Sequence, residues 1–167
     1  MAKGADLNAY QVNQETQVID MSKKVKIGII GTGWIAESHV KALQQCPDVE
    51  IVALADLVPG KAQKFAETWE IEGAHYYDSD VALLEGEKDL DCVTICTYNT
   101  QHAPCAIHAL ESGVHVMLEK PFTVTLDEAV EVMKAEKKSG KILTIGFQPR
   151  MSENIQLIKK IVQSGEL

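Results

Sequence analysis

The sequence has no surplus of positive charge: 16 Lys and Arg stand against 24 Asp and Glu, a formal net charge of −8. With neither a basic run nor a basic stripe at helical spacing, it lacks the electrostatic footprint of a nucleic-acid or anionic-membrane surface. No apolar stretch approaches the roughly 20 residues that span a bilayer. Residues 1–22 are polar and hold no hydrophobic segment, so they do not read as a secretory signal. They read as a tail or surface extension, with Met21 as an alternative start. Cysteine is sparse. Of Cys46, Cys92, Cys96 and Cys105, the middle two fall in the apolar run Cys-Val-Thr-Ile-Cys, and no second Cys or His pair completes a zinc site. Buried, reduced thiols are the better reading, and they fit a cytoplasmic protein.

What is present suits one well-buried domain, since 167 residues are too few for two of ordinary size. Short β-branched runs alternate with helical patterns, which predicts an α/β protein with a doubly wound parallel sheet. Strands are expected at 25–30, 50–55, 75–77, 92–97, 114–118 and 141–145. Helices are expected at 35–45, 59–69, 81–84, 104–112, 125–139 and 152–164. Pro59 suits a first helical turn. Thr125 with Glu128 has the spacing of a capping box, and Gly113 and Gly140 sit where left-handed caps belong. Six strands with alternating helices match the dinucleotide-binding (Rossmann) fold.

Gly31-Thr32-Gly33-Trp34-Ile35-Ala36 follows the first strand and opens the first helix. In such a G-x-G-x-x-A turn the first glycine permits the tight bend and the second lets the backbone approach a pyrophosphate. The small sixth residue lets helix and strand pack closely, leaving the phosphates on helix N-terminal N–H groups. Alone the motif is weak; here it has the strand before, the helix after, and an acid, Asp56, ending the next strand. A carboxylate there accepts both ribose hydroxyls of NAD and repels a 2′-phosphate, so NAD is expected over NADP. No arginine follows immediately, although Lys61 and Lys64 lie in the next helix. The plainer alternative is that Asp56 caps that helix.

Two polar runs end later strands on the same carboxyl edge. In Thr97-Tyr98-Asn99-Thr100-Gln101-His102, either Asn99 and Thr100 cap a helix with His102 at the surface, or Asn99 and His102 face a cofactor. In Glu119-Lys120-Pro121, a lysine can reach the space above a nicotinamide ring and hold a substrate hydroxyl, or it is a solvated Glu–Lys pair before a proline turn.

Taken in order, Gly31-Thr32-Gly33-x-x-Ala36, Asp56, Thr97-x-Asn99-x-x-His102, Glu119-Lys120-Pro121 and Gly146-Phe147-Gln148-Pro149-Arg150 resemble the glucose–fructose oxidoreductase / inositol dehydrogenase (Gfo/Idh/MocA) family over residues 24–167. The resemblance implies a two-domain enzyme that moves hydride between a nicotinamide cofactor and a sugar, cyclitol or related alcohol. It implies Gly31, Thr32, Gly33, Trp34 and Ile35 at the pyrophosphate and Asp56 at the adenosine ribose. Thr97, Asn99, His102 and Glu119 would line the nicotinamide side, with Lys120 the catalytic lysine and Lys120–Pro121 in cis. Gln148 and Arg150 would approach cofactor or substrate. Tyr98 stands where the family usually has proline, which should perturb the loop without abolishing the site.

On this reading residues 1–22 are a tail, 23–146 the Rossmann domain, and 147–167 the start of a linker toward an α+β substrate domain that these residues do not include. That domain supplies an acid/base histidine in the family, which His39, His75, His108 and His115 do not match. The 167 residues alone are therefore expected to bind nucleotide without turnover. A non-catalytic NAD(H)-binding or redox-sensing module, or a subunit completed by a second chain, is the competing expectation. Association into homo-oligomers would use the second domain's sheet.

Overall fold

A computed structural model describes residues 23–165; the tail expected at 1–22 lies outside them. Six strands form one sheet: β1 (Val25–Ile30), β2 (Val49–Ala55), β3 (His75–Tyr77), β4 (Cys92–Ile95), β5 (His115–Leu118) and β6 (Leu143–Ile145). Every pairing is parallel and the order is β3-β2-β1-β4-β5-β6. Chain direction reverses its march across the sheet between β1 and β4, the switch point at which such sheets open a crevice. Register brings the carboxyl ends into one line: Ile30 opposes Ala55 and Ile95, Ile95 opposes Leu118, and Leu118 opposes Ile145. The residues that follow, Gly31, Asp56, Cys96, Glu119 and Gly146, therefore share one edge.

Helices α1 (Trp34–Leu43) and α2 (Lys61–Thr68) bury Val40, Ala62 and Ala66 with Ile29, Ile51 and Leu54. Helices α3 (Asp80–Gly86), α4 (Asn99–Glu111) and α5 (Leu126–Ser139) cover the other face, where Leu83, Leu110 and Val132 meet Ile30, Val93, Ile95, Val116 and Leu118. Each fully buried aliphatic side chain of this kind contributes about 1.5–3 kcal/mol relative to exposure. The adjacent strand residues Ile29 and Ile30 serve opposite layers, as the two-residue period of a strand requires.

Several boundaries differ from the sequence reading. Pro59 precedes α2 rather than starting it, because Gly60 takes a left-handed φ of 73° and the helix begins at Lys61. Helix α4 starts at Asn99, well before Pro104, which lies inside it. Proline there removes the N–H that Thr100 carbonyl would accept, a loss that solvent offsets because Thr100 is exposed. Strand β4 stops at Ile95, so Thr97 belongs to the loop after it. The Thr125–Glu128 capping box and the left-handed Gly140 are as expected. A 3-10 turn, Gln148–Met151, leads to α6 (Glu153–Ser164), which has no buried residue and leaves Ile155, Leu157, Ile158 and Val162 exposed.

Cys96 and Cys105 are buried, Cys92 is half-buried and Cys46 is exposed. Burial pushes the thiols of Cys96 and Cys105 up to about 12 and that of Cys92 to about 11, so none forms the reactive thiolate at neutral pH. Among the described residues no helix is long and apolar enough to cross a membrane.

Candidate cofactor site

A cavity of about 490 Å³ runs along the carboxyl edge of the sheet, within the range of small-molecule sites. Gly31, Gly33, Trp34, Ile35, Asp56, Thr97, Asn99, His102, Glu119 and Lys120 line it, so ten of the thirteen expected site residues converge on one space. Thr32, Gln148 and Arg150 lie off its wall. Thr32 is buried and bonded to Asp56. Gln148 reaches Glu119 from behind, donating to Oε1 at 2.9 Å. Arg150 is exposed in the 3-10 turn.

The two glycines of the first turn are glycines for different reasons. Gly31 has φ +89°, and a Cβ on it would lie 2.8 Å from the Cys96 carbonyl carbon and the Thr97 nitrogen. The fold itself forbids a side chain where the turn after β1 passes the chain leaving β4. Gly33 has ordinary extended backbone, φ −84° and ψ −176°, and a Cβ there would meet nothing within 4 Å. Nothing in the protein demands glycine at 33. The demand fits a ligand that comes close to the backbone, at the start of a helix that no side chain caps. Beside Gly31, Thr97 Oγ1 is buried with no hydrogen-bond partner among the described residues. A buried hydroxyl without a partner is costly. The residues thus fit a dinucleotide.

Asp56 is held firmly at the far end. Its Oδ2 accepts from the Thr32 amide at 2.9 Å, the Thr32 hydroxyl at 2.7 Å and Lys61 Nζ at 2.7 Å, while Oδ1 accepts from the Val58 amide at 3.0 Å. Burial alone would raise this carboxyl, but Lys61, Val58 and Thr32 hold it below its ordinary value, so it stays ionised near neutrality. The Val58 bond caps the turn into α2 locally. Asp56 does not cap α2 itself, whose N-cap is Gly60 with no side-chain cap; it bonds the turn before that helix and lines the cavity.

Glu119 anchors the other end. It is 3% exposed, and its Oε1 lies 2.8 Å from His39 Nε2 while Oε2 accepts the Lys120 amide at 3.1 Å. His39 Nδ1 lies 2.9 Å from Thr94 Oγ1. With Nε2–H donating to the carboxylate, Nδ1 is left to accept the Thr94 hydroxyl, so one tautomer satisfies every partner. The exposed Lys120 follows directly, joined to Pro121 by a cis peptide bond as expected. His102 is not at the surface: it is 1% exposed, and Nδ1 donates to the Pro121 carbonyl at 2.6 Å. That bond ties the start of α4 to the loop carrying Lys120.

Sequence reasoning missed His39, Ser79, Asp80 and Gln101. Ser79 and Asp80 line the cavity just after β3, where the carboxyl-edge rule applied to a third strand would have found them. His39 gave no such signal, because its partner is 80 positions away. The cavity's three carboxylates are each paired: Asp56 with Lys61, Glu119 with His39, and Asp80 with His108 at 2.7 Å.

The model of the Gfo/Idh/MocA oxidoreductase family, NAD-binding Rossmann fold, matches residues 25–147. Inositol 2-dehydrogenase of Salmonella typhimurium is 37% identical over 145 residues, covering 86% of this chain and 43% of that protein. D-glucoside 3-dehydrogenase of Escherichia coli is 34% identical over 148 residues, covering 87% and 41%. Among solved structures, the WlbA dehydrogenase of Chromobacterium violaceum, in complex with NADH and UDP-GlcNAcA, superposes with TM-score 0.78 at 30% identity. That match covers 85% of this chain and 40% of the other. Myo-inositol dehydrogenase of Lactobacillus casei, in complex with NAD(H) and myo-inositol, gives TM-score 0.78 at 27% identity, over 85% and 42%. The chain spans about two fifths of the length of these relatives.

Proposed function

Because the chain belongs to the Gfo/Idh/MocA family of oxidoreductases, we propose that it binds NAD(H) along its carboxyl-edge cavity as the cofactor-holding part of a sugar or cyclitol dehydrogenase. The observation that carries this reading is Gly33, whose missing side chain opens the uncapped start of α1 to the cavity. Gly31, Thr32, Gly33, Trp34 and Ile35 form the turn that receives the pyrophosphate, and the helix end favours its negative charge. Asp56 takes the adenosine ribose hydroxyls, which favours NAD over NADP. Thr97, Asn99, His102 and Glu119 flank the nicotinamide side. Residues 23–146 are the dinucleotide-binding unit, and 147–167, with Gln148 and Arg150, lead toward the substrate side.

The nicotinamide, when bound, accepts or donates the hydride. The chain's own chemical group is Lys120, exposed on the cavity wall with no carboxylate paired to it among the described residues. Its ammonium donates a hydrogen bond to the substrate's hydroxyl oxygen and stabilises negative charge that develops there. Glu119 accepts the Lys120 backbone amide and is itself fixed by His39 and Gln148, so the loop that presents the lysine is rigid. A fluorescence titration of the purified chain with NADH tests the binding step. Saturable one-to-one binding competed by NAD and by ADP-ribose is expected; no saturable binding would overturn the reading.

A further inference from the structure

We propose that Lys61 sets the cofactor preference of this chain, narrowing the discrimination that Asp56 would impose against a dinucleotide carrying a 2′-phosphate. The proposal rests on the reading that a dinucleotide occupies the cavity with its adenosine ribose at Asp56.

The geometry at that end is unusual for a carboxylate meant to receive a diol. An ionised carboxylate offers about four acceptor positions. Here the Thr32 amide, the Thr32 hydroxyl and Lys61 crowd Oδ2, and the Val58 amide takes one position on Oδ1. Thr32 and Val58 are bound to the backbone frame of their turns. Lys61 is the donor that can move: it is the first residue of α2, its side chain is 42% exposed, and its four-carbon stem is flexible. It also lines the cavity itself. Lys61 thus competes with the ribose hydroxyls for Oδ2, and its charge offsets the one that would repel a phosphate ester on the 2′-oxygen.

No other cation serves that corner. Among the described residues, the cavity wall holds two lysines and no arginine, and Lys120 stands with Glu119 at the opposite end. Asp80, the acid nearest in sequence on that wall, is already paired with His108. When a 2′-phosphate enters, Lys61 can turn from Asp56 to the phosphate, since its side chain is 42% exposed, and Asp56 keeps its bonds from Thr32 and Val58. One charge-assisted bond at a site this exposed changes affinity by about tenfold after screening.

The test is calorimetric titration of the purified chain with NADH and NADPH, for the wild type, Lys61→Met and Lys61→Arg. Thermal melts confirm that each variant folds. Lys61→Met is expected to weaken NADPH binding about tenfold while NADH binding holds or tightens, and Lys61→Arg to keep the wild-type ratio within about threefold. If Lys61→Met leaves the NADH-to-NADPH ratio unchanged while NADH still binds, the role of Lys61 is refuted and the dinucleotide reading stands. If the wild type binds neither nucleotide, that reading falls and this one with it.

Discussion

His39 and Glu119, 80 positions apart, meet beneath the cavity with Nε2 and Oε1 2.8 Å apart and both side chains under a tenth exposed. The pair joins the middle of α1 to the loop that carries Lys120, the two elements between which a dinucleotide would lie. Removing His39 strands a buried carboxylate with one donor fewer. His39→Ala should cost about 2–4 kcal/mol, lowering the melting temperature by roughly 5–15 °C. His39→Gln, which can still donate to Glu119, should cost less than half as much. Equal losses in the two variants would show that packing volume, not the bond to Glu119, is what His39 provides.

Asp56→Ala removes the carboxylate proposed to accept the ribose and releases Lys61. NADH binding should weaken at least about tenfold while NADPH binding weakens less or improves, so the gap between the nucleotides narrows. Calorimetry with both nucleotides measures it. Adding Lys61→Met to Asp56→Ala should abolish the relative gain for NADPH, because the freed ammonium is its source.

The capping box of Thr125 and Glu128 and the cap at Gly140 were legible because their partners lie within one helical turn in sequence. The glycine turn and Asp56 were legible because the fold's own register carries the ends of β1 and β2 to the same edge. The start of α4 was not. Its N-cap, Tyr98, has no capping side chain, and Pro104 drew the helix start toward the position prolines favour. His39 was invisible for a different reason: a histidine on a helix reveals nothing of a partner that only tertiary packing supplies. His102 was ambiguous between surface and cavity, and packing gave it a third role in binding the Pro121 carbonyl while it lines the cavity.

His115 should make the β6 edge sensitive to mild acid. Burial and then the charge of Lys141 hold its imidazole below the ordinary value, against the opposing pull of Asp91, and its Nδ1 accepts the Ile142 amide at 2.9 Å. The native state therefore keeps this ring neutral where the unfolded chain protonates it, near pH 6.5. Stability from this group is complete above that pH and declines as pH falls through it toward the lower native value. The protection factor of the Ile142 amide against hydrogen exchange should fall as pH is lowered from about 7.5 to 5.5, after correction for the intrinsic slowing of exchange. A His115→Asn variant should show a flatter dependence. Carboxylates such as Asp56 and Glu87, also held below their ordinary values, act in a separate and more acidic window.

Gly31 should be indispensable to the fold. Gly31→Ala places a methyl 2.8 Å from backbone atoms of Cys96 and Thr97 at a φ of +89°. The left-handed backbone alone costs a side chain about 1–2 kcal/mol, and the backbone clash adds to it. A melting temperature lower by at least roughly 5 °C is expected; an unchanged one would contradict the close approach of Gly31 to Cys96 and Thr97.

Gly33 separates folding from binding, and so tests most directly the claim that this cavity is built for a dinucleotide. Gly33→Val adds a side chain on ordinary backbone, where a Cβ meets nothing within 4 Å. The decisive measurement is the NADH dissociation constant of wild type and Gly33→Val side by side, with melting curves for each. The account predicts a melting temperature within about 3 °C of wild type and NADH binding weakened by at least about 100-fold, the side chain occupying the space of the pyrophosphate. A folded Gly33→Val chain that binds NADH as tightly as wild type would contradict it.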